Sequence, residues 1–119
     1  MNYISQTRDD ILIEKLNIKR ATAKEAEEFK KHISNEINSG FKRVIIDCTK
    51  CEFMDSSFLG NIIAVYKKIS ESNGELKLIV SEQNIRILLE ITSINKFIQV
   101  YETKREAVES FNKESKANS

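Results

Sequence analysis

Proline and tryptophan are absent from this sequence, and glycine occurs only at Gly40, Gly60 and Gly74. The missing prolines exclude Pro-rich linkers. So few glycines exclude collagen-like repeats and a glycine-rich loop that cradles phosphates. Cysteine is limited to Cys48 and Cys51, which is too little for a disulfide framework, and His32 is the lone histidine. Charge of one sign is also missing: 19 Lys+Arg face 18 Asp+Glu, for a net charge of +1. That balance argues against a dedicated nucleic-acid binder, which shows a strong basic excess. No apolar run approaches the roughly 18 residues that span a bilayer. The opening MNYISQTRDD lacks the charged-then-apolar layout of a secretory signal. The expectation is a cytoplasmic protein, with no direct membrane contact and with both cysteines as thiols.

What is present suffices for one domain spanning residues 1–119, with a core of about 3–112 and a polar, fraying tail at 113–119. Hydrophobic residues make up 40% and charged residues 31% of the 119. A chain of this size buries about two thirds of its unfolded surface, so a core forms without covalent staples.

The apolar pattern assigns the elements. Tyr3–Thr7 reads as a short edge strand, followed by a turn at Arg8–Asp10. Ile11–Leu16 alternates and reads as a half-buried strand. Thr22-Ala23-Lys24-Glu25 has capping-box spacing. Ala26, Phe29, Ile33 and Ile37 then recur at helical spacing up to Gly40, so a helix is expected from about Ala23 to Ser39. Arg43–Asp47, with its Val-Ile-Ile centre, reads as a buried central strand. Cys48–Asp55 is a loop or a strand extension. A second helix fits from Ser56 or Ser57 to about Ser72. At 100° per residue, its Phe58, Leu59, Ile62, Ile63, Val65, Tyr66 and Ile69 fall on one arc about 160° wide. Asn73-Gly74 signals a turn before the strand Glu75–Val80. Ser81 offers the N-cap of a third helix. Phe97–Tyr101 reads as a final strand, and Thr103–Glu106 opens a last helix through Phe111. The order ββαβαβαβα predicts an α/β fold: a mostly parallel mixed sheet of four to five strands covered by about four helices.

Few residues carry chemistry. His32 sits mid-helix without a visible catalytic partner, so a helix-surface or half-buried role is expected. Cys48-Thr49-Lys50-Cys51 supplies two of the about four ligands that a structural zinc needs. It also does not open a helix, as a thioredoxin-type pair does. The expectation is a buried Cys48 and a semi-exposed Cys51, with no metal and no cofactor. The informative stretch is Phe53-Met54-Asp55-Ser56-Ser57-Phe58-Leu59-Gly60, where an acid and two serines meet the start of a helix. Asp and Ser are preferred N-caps. A helix start also tolerates an anion, so a regulatory phosphoserine fits the same position. From Cys51 to Tyr66 the sequence holds no Lys or Arg. A phosphate there finds no cation nearby in sequence and sits beside Glu52 and Asp55.

The run from Val44 to Ile79 resembles the STAS domain (sulfate transporter and anti-sigma factor antagonist). The single-domain anti-anti-sigma factors are the nearest likeness. The residues that carry it are Val44–Asp47, Asp55-Ser56-Ser57, Leu59-Gly60, Tyr66-Lys67 and Asn73-Gly74, and the likeness extends over roughly Ile11 to Phe111. It implies a binding protein and not an enzyme. The unphosphorylated form would bind a cognate anti-sigma serine kinase and free a sigma factor. Phosphorylation at Ser56, with Ser57 as second choice, would switch it off, and a PP2C-like phosphatase would restore it. Partner contacts would involve Asp55, Ser56, Ser57, Phe58 and Asn61, on a monomer or weak homodimer. Phe58 stands where the family usually has Gly; it either packs inward or forms an exposed aromatic contact beside the serine. Asn17–Ala21 replaces a family segment that often meets partners, and Ser93 replaces a common Gly. The alternatives are a STAS structural subunit, in a stressosome-like or lipid-transport ABC complex, and a redox role for Cys48 and Cys51.

Overall fold

Val44, Ile45 and Ile46 form the middle of the sheet because β-branched residues suit a strand buried on both faces; all three are 0% exposed. The computed structural model describes residues 2–117. Five strands stand side by side in the order β1 (Tyr3–Arg8), β2 (Ile11–Leu16), β4 (Arg43–Asp47), β6 (Glu75–Ile79), β7 (Gln99–Tyr101). Only β1 is antiparallel to its neighbour; the other pairings are parallel, with Ile13 opposite Ile45 and Ile45 opposite Lys77. The mixed, mostly parallel sheet agrees with the sequence expectation. Two short strands, β3 (Arg20–Ala21) and β5 (Phe53–Met54), pair with each other outside this sheet.

Alternation sorts the side chains between two cores. Leu12, Val44, Ile46, Leu76 and Leu78 face helices α1 (Ala23–Asn38), α2 (Ser56–Glu71) and α3 (Gln83–Ile91). Ile11, Ile13, Ile45 and Ile79 face α4 (Lys104–Ala117) through Ala107, Val108 and Phe111.

Helix α1 follows its pattern. Thr22 caps it and forms the full capping box with Glu25, whose carboxyl is held below its ordinary value, chiefly by the Thr22 hydroxyl. The helix stops at Gly40, where φ is +106°, a conformation open to glycine. Gly74 is required for another reason. A Cβ there would lie 2.5 Å from the Lys42 carbonyl oxygen, the acceptor for the Glu75 N–H at 2.7 Å.

Several boundaries differ from expectation. Strand β6 ends at Ile79, one residue short of the expected Val80, although the Val80 N–H still reaches Tyr101 O at 2.8 Å. The cap of α3 is Glu82 and not Ser81; its carboxylate accepts the Asn84 N–H. The last strand begins at Gln99 because a 3-10 turn occupies Ile94–Lys96. Phe97 and Ile98 bond back to Ile94 O at 2.9 Å each. Ser93 opens that turn with φ +60°, the left-handed region that favours glycine. Helix α4 continues to Ala117 instead of fraying after Phe111; residues 118–119 of the expected tail lie outside the described residues. Its continuation is anchored by Lys77, a fully buried lysine on β6. The Lys77 ammonium donates to Ser110 Oγ (2.5 Å) and Glu114 Oε1 (2.9 Å) and lies 4.0 Å from the Phe111 ring centre.

A polar clasp ties β1 and α1 over the other face. Glu14, fully buried on β2, lies 2.8 and 2.9 Å from the Ser5 hydroxyl and 2.9 Å from His32 Nε2. The imidazole stacks on Tyr3 with centroids 4.6 Å apart. Burial, with Glu28, Glu25 and Glu14 adding to it, pushes the Tyr3 phenol up to about 12. His32 is thus a half-buried structural residue.

Candidate functional site

Asp55 organises the region that the sequence singled out. It is the N-cap of α2 with an extended backbone, and its Oδ1 accepts the Phe58 N–H at 2.9 Å. Its Oδ2 accepts the Ala23 N–H at 3.0 Å, in the first turn of α1. Its own N–H donates to Ala21 O at 3.0 Å. One carboxylate therefore serves two helix starts, each carrying roughly half a positive charge. The β3–β5 pair makes this possible. Arg20 lies opposite Phe53 and Ala21 opposite Met54, while Lys19 O accepts N–H groups from Glu52 (2.7 Å) and Phe53 (3.2 Å). The pair brings the N-termini of α1 and α2 together at Asp55.

Ser56 and Ser57 are the first two residues of α2, and both are exposed. Helical geometry places Gly60 one turn beyond Ser56 and Asn61 one turn beyond Ser57. Gly60 is exposed, and a Cβ there would meet nothing within 4 Å. Asn61 is half-buried. The side chains of Ser56, Ser57 and Asn61 thus share the polar start of α2 with Asp55, over a flat strip of backbone at Gly60.

Phe58 does not belong to that surface. It is fully buried, and its ring packs 4.9 Å from that of Phe29. The inward alternative holds: Phe58 shares the apolar arc of α2 with Leu59, Ile62, Val65 and Ile69, all buried. A partner contact by this ring is thereby excluded. Cys51 is likewise buried, 2% exposed beside a fully buried Cys48, rather than semi-exposed. The loop folds back as a tight turn, with Cys51 N–H on Cys48 O at 3.0 Å, and this tucks the second thiol under the chain.

The region is also less acidic in space than in sequence. The Arg20 guanidinium lies 4.4 Å from the centre of the Phe53 ring, which is 41% exposed. The sequence marks Arg20 only as part of the Asn17–Ala21 segment; a two-residue strand has too short a pattern to show that it reaches Phe53. Among the described residues, no group of three or more His, Cys, Asp or Glu is placed to hold a metal ion, and no helix is long and apolar enough to cross a membrane.

These features define a single α/β sandwich whose distinctive polar site is the start of a helix rather than a cleft. The chain belongs to the STAS domain family, which it matches over residues 5–107. It is 30% identical over 102 residues to a Thermotoga maritima protein assigned as an anti-sigma factor antagonist, covering 85% of this chain and 89% of that one. The crystal structure of an anti-sigma factor antagonist so assigned in the same organism superposes with a TM-score of 0.86 at 28% identity, covering 91% of this chain and 92% of that one. The Bacillus cell fate determinant SpoIIAA, in its phosphorylated form, shares the fold with a TM-score of 0.71 at 17% identity, over 92% of this chain and 98% of that one.

Proposed function

We propose that this chain is an anti-sigma factor antagonist, a regulatory binding protein and not an enzyme. In this reading its unphosphorylated form binds a cognate anti-sigma serine kinase in the cytoplasm, and the kinase then releases its sigma factor. Phosphorylation of Ser56 ends the binding, and a PP2C-like phosphatase restores it. The observation that carries the reading is the placement of Ser56: exposed, first in α2, and next to a carboxylate already held by two helix starts. The relatives assigned as anti-sigma factor antagonists support it.

The physical basis of the switch lies in that carboxylate. Asp55 already occupies the Phe58 and Ala23 amides that a phosphate on Ser56 would otherwise seek. The added charge of about −1.5 to −2 therefore stays at the surface beside a carboxylate, instead of being neutralised inside the domain. A partner that covers Ser56 must then bury an unpaired charge, at about 3–5 kcal/mol. That corresponds to a loss of roughly two to three and a half decades in affinity. The fold itself accommodates a phosphate: SpoIIAA retains it in the unphosphorylated and phosphorylated forms, with TM-scores of 0.73 and 0.71 to this chain. Asp55, Ser57 and Asn61 form the surrounding contact surface in this reading. Incubating the chain with ATP and the kinase that co-purifies with it, then mapping phosphate by mass spectrometry, tests the site. Phosphate on Ser56 is expected; phosphate found only outside Ser56 and Ser57 overturns the assignment.

A second reading, a structural subunit of a larger assembly, is favoured by one observation. Ile91 is 76% and Phe97 67% exposed, and Phe97 borders a groove with Ile63 and Tyr66. Sedimentation of the native complex separates the two readings. A large homo-assembly supports the second, and a small complex with a kinase supports the first.

A further inference from the structure

The two cysteines are left unused by the proposed switch, yet they stand at its root. Cys48 ends the central strand, and its N–H is bonded to Ile79 O at 2.8 Å in the sheet. Cys51 begins the segment that continues through β5 to Asp55 and Ser56. Between them Thr49 and Lys50 form a tight turn, closed by the Cys51 N–H on Cys48 O at 3.0 Å and steadied by the Thr49 N–H on Asp47 Oδ1 at 2.9 Å. Residues at the two ends of such a turn have Cα atoms within about 7 Å. A disulfide needs about 4.4–6.8 Å. Both thiols are buried in the same apolar cluster. No further cysteine exists in the chain to compete for either sulfur.

We propose that Cys48 and Cys51 form a reversible disulfide under a two-electron peroxide oxidant, fixing the segment that leads to Ser56 onto the end of β4. This proposal does not depend on the phosphorylation reading. The two sulfurs are differentiated for the task. The neighbouring Cys48 holds the Cys51 thiol below its ordinary value, although burial and the Asp47 carboxylate oppose this. Cys48 is itself pushed well above its ordinary value, chiefly by that same interaction and then by burial. Cys51, on the segment outside the sheet, is the attacking sulfur, and Cys48, held in the sheet through its N–H on Ile79 O, is the resolving one.

The chemistry balances in two steps. Cys51 releases its proton, and the thiolate attacks one oxygen of hydrogen peroxide. The O–O bond breaks, a sulfenic acid forms on Cys51, and the departing hydroxide takes up a proton to leave as water. The Cys48 sulfur then attacks the Cys51 sulfur. The S–O bond breaks, and hydroxide leaves with the Cys48 proton as a second water. Two thiols are oxidised to a disulfide, and one peroxide is reduced to two waters.

The mechanical consequence follows from what lies on either side. The S–S bond is about 2.05 Å long, shorter than any contact between free thiols, so oxidation draws Cys51 toward the sheet. The next two amides, Glu52 and Phe53, bond to Lys19 O, so the same pull acts on the β3–β5 pair. The experiment treats the full chain with equimolar hydrogen peroxide, followed by intact-mass and peptide mapping and by amide hydrogen exchange. The expected result is loss of two hydrogens, a linked Cys48–Cys51 peptide, no free thiol after denaturation, and recovery of both thiols with dithiothreitol. Exchange at Glu52 and Phe53 should slow at least about tenfold, equivalent to 1.4 kcal/mol. A Cys51→Ser variant, checked for folding by circular dichroism, should lose the linked peptide and show no exchange change. The proposal is overturned if the thiols stay free, if they pass to sulfinic acid without linking, or if exchange at Glu52 and Phe53 is unchanged in the linked form.

Discussion

Asp55→Ala removes both side-chain bonds that join the starts of α1 and α2, and its cost can be worked out bond by bond. The bond to Phe58 N–H, at 2.9 Å, is an ordinary N-cap, whose loss to alanine costs about 1 kcal/mol. The bond to Ala23 N–H, at 3.0 Å, comes from a charged acceptor, but Ala23 is exposed, so water replaces part of it. That leaves about 0.5–1 kcal/mol for the second bond. The sum is about 1.5–2 kcal/mol, or roughly 6–8 °C in Tm for a domain of this length. Asp55→Asn separates the two bonds. Asparagine is as good a cap as aspartate, but it offers one acceptor oxygen in place of two, so only about half of the loss is expected. Urea unfolding followed by circular dichroism measures both. Two outcomes speak against the bridge: an Asp55→Ala cost below about 0.5 kcal/mol, or equal destabilisation of the asparagine and alanine variants. Either result would mean that the carboxylate does not bridge the two helices.

Other consequences are independent of Asp55. Lys77→Met should leave stability unchanged or raise it slightly, because a buried ammonium is replaced by an apolar chain of similar length while the partly exposed Glu114 returns to water; Lys77→Ala should cost about 2–3 kcal/mol through the space it leaves, both read by urea unfolding. Gly60→Ala should stabilise the chain by about 0.5–1 kcal/mol, since a mid-helix glycine is costly and the added methyl meets nothing; weaker partner binding in that variant would locate the contact on the strip beside Ser56. Glu25 has a lowered carboxyl value set first by Thr22. Its capping contribution is therefore present above the ordinary carboxylate range and is lost as pH falls through the lowered value. The protection factor of the Thr22 amide, whose N–H donates to Glu25, measured by NMR and corrected for the intrinsic pH dependence of amide exchange, should fall over that acid range and stay constant towards neutral pH.

Most of the fold was legible because its elements are long and regularly patterned. Helix α1 carries four buried residues at helical spacing between a capping box and Gly40, and on the α2 arc Phe58, Leu59, Ile62, Val65 and Ile69 are buried while Ile63 and Tyr66 are half-buried. What escaped was set by distance or brevity. Strands β3 and β5 hold two residues each, too few for a period of two to register. The extension of α4 depends on Lys77, more than thirty residues earlier in sequence, a partnership that no local pattern encodes. The exposed serines and the cap at Asp55 were readable from residue type alone. The second bond of Asp55, to Ala23, was not, because it requires knowing that two helix starts meet. The cation-free stretch from Cys51 to Tyr66 was a correct count with a misleading implication, since Arg20 reaches Phe53 across the β3–β5 pair.

In the proposed function, charge at Ser56 governs partner binding without disturbing the fold. The direct measurement is the dissociation constant of the partner captured by the unmodified chain, an anti-sigma kinase in the proposed function, for the unmodified chain and for Ser56→Asp, together with the unfolding free energy of each. An aspartate in the first turn of α2 is compatible with the helix dipole, so stability should change by less than about 1 kcal/mol, while binding weakens by about a hundredfold or more. Equal affinity of the two chains, with both folded, would show that charge at Ser56 does not control binding.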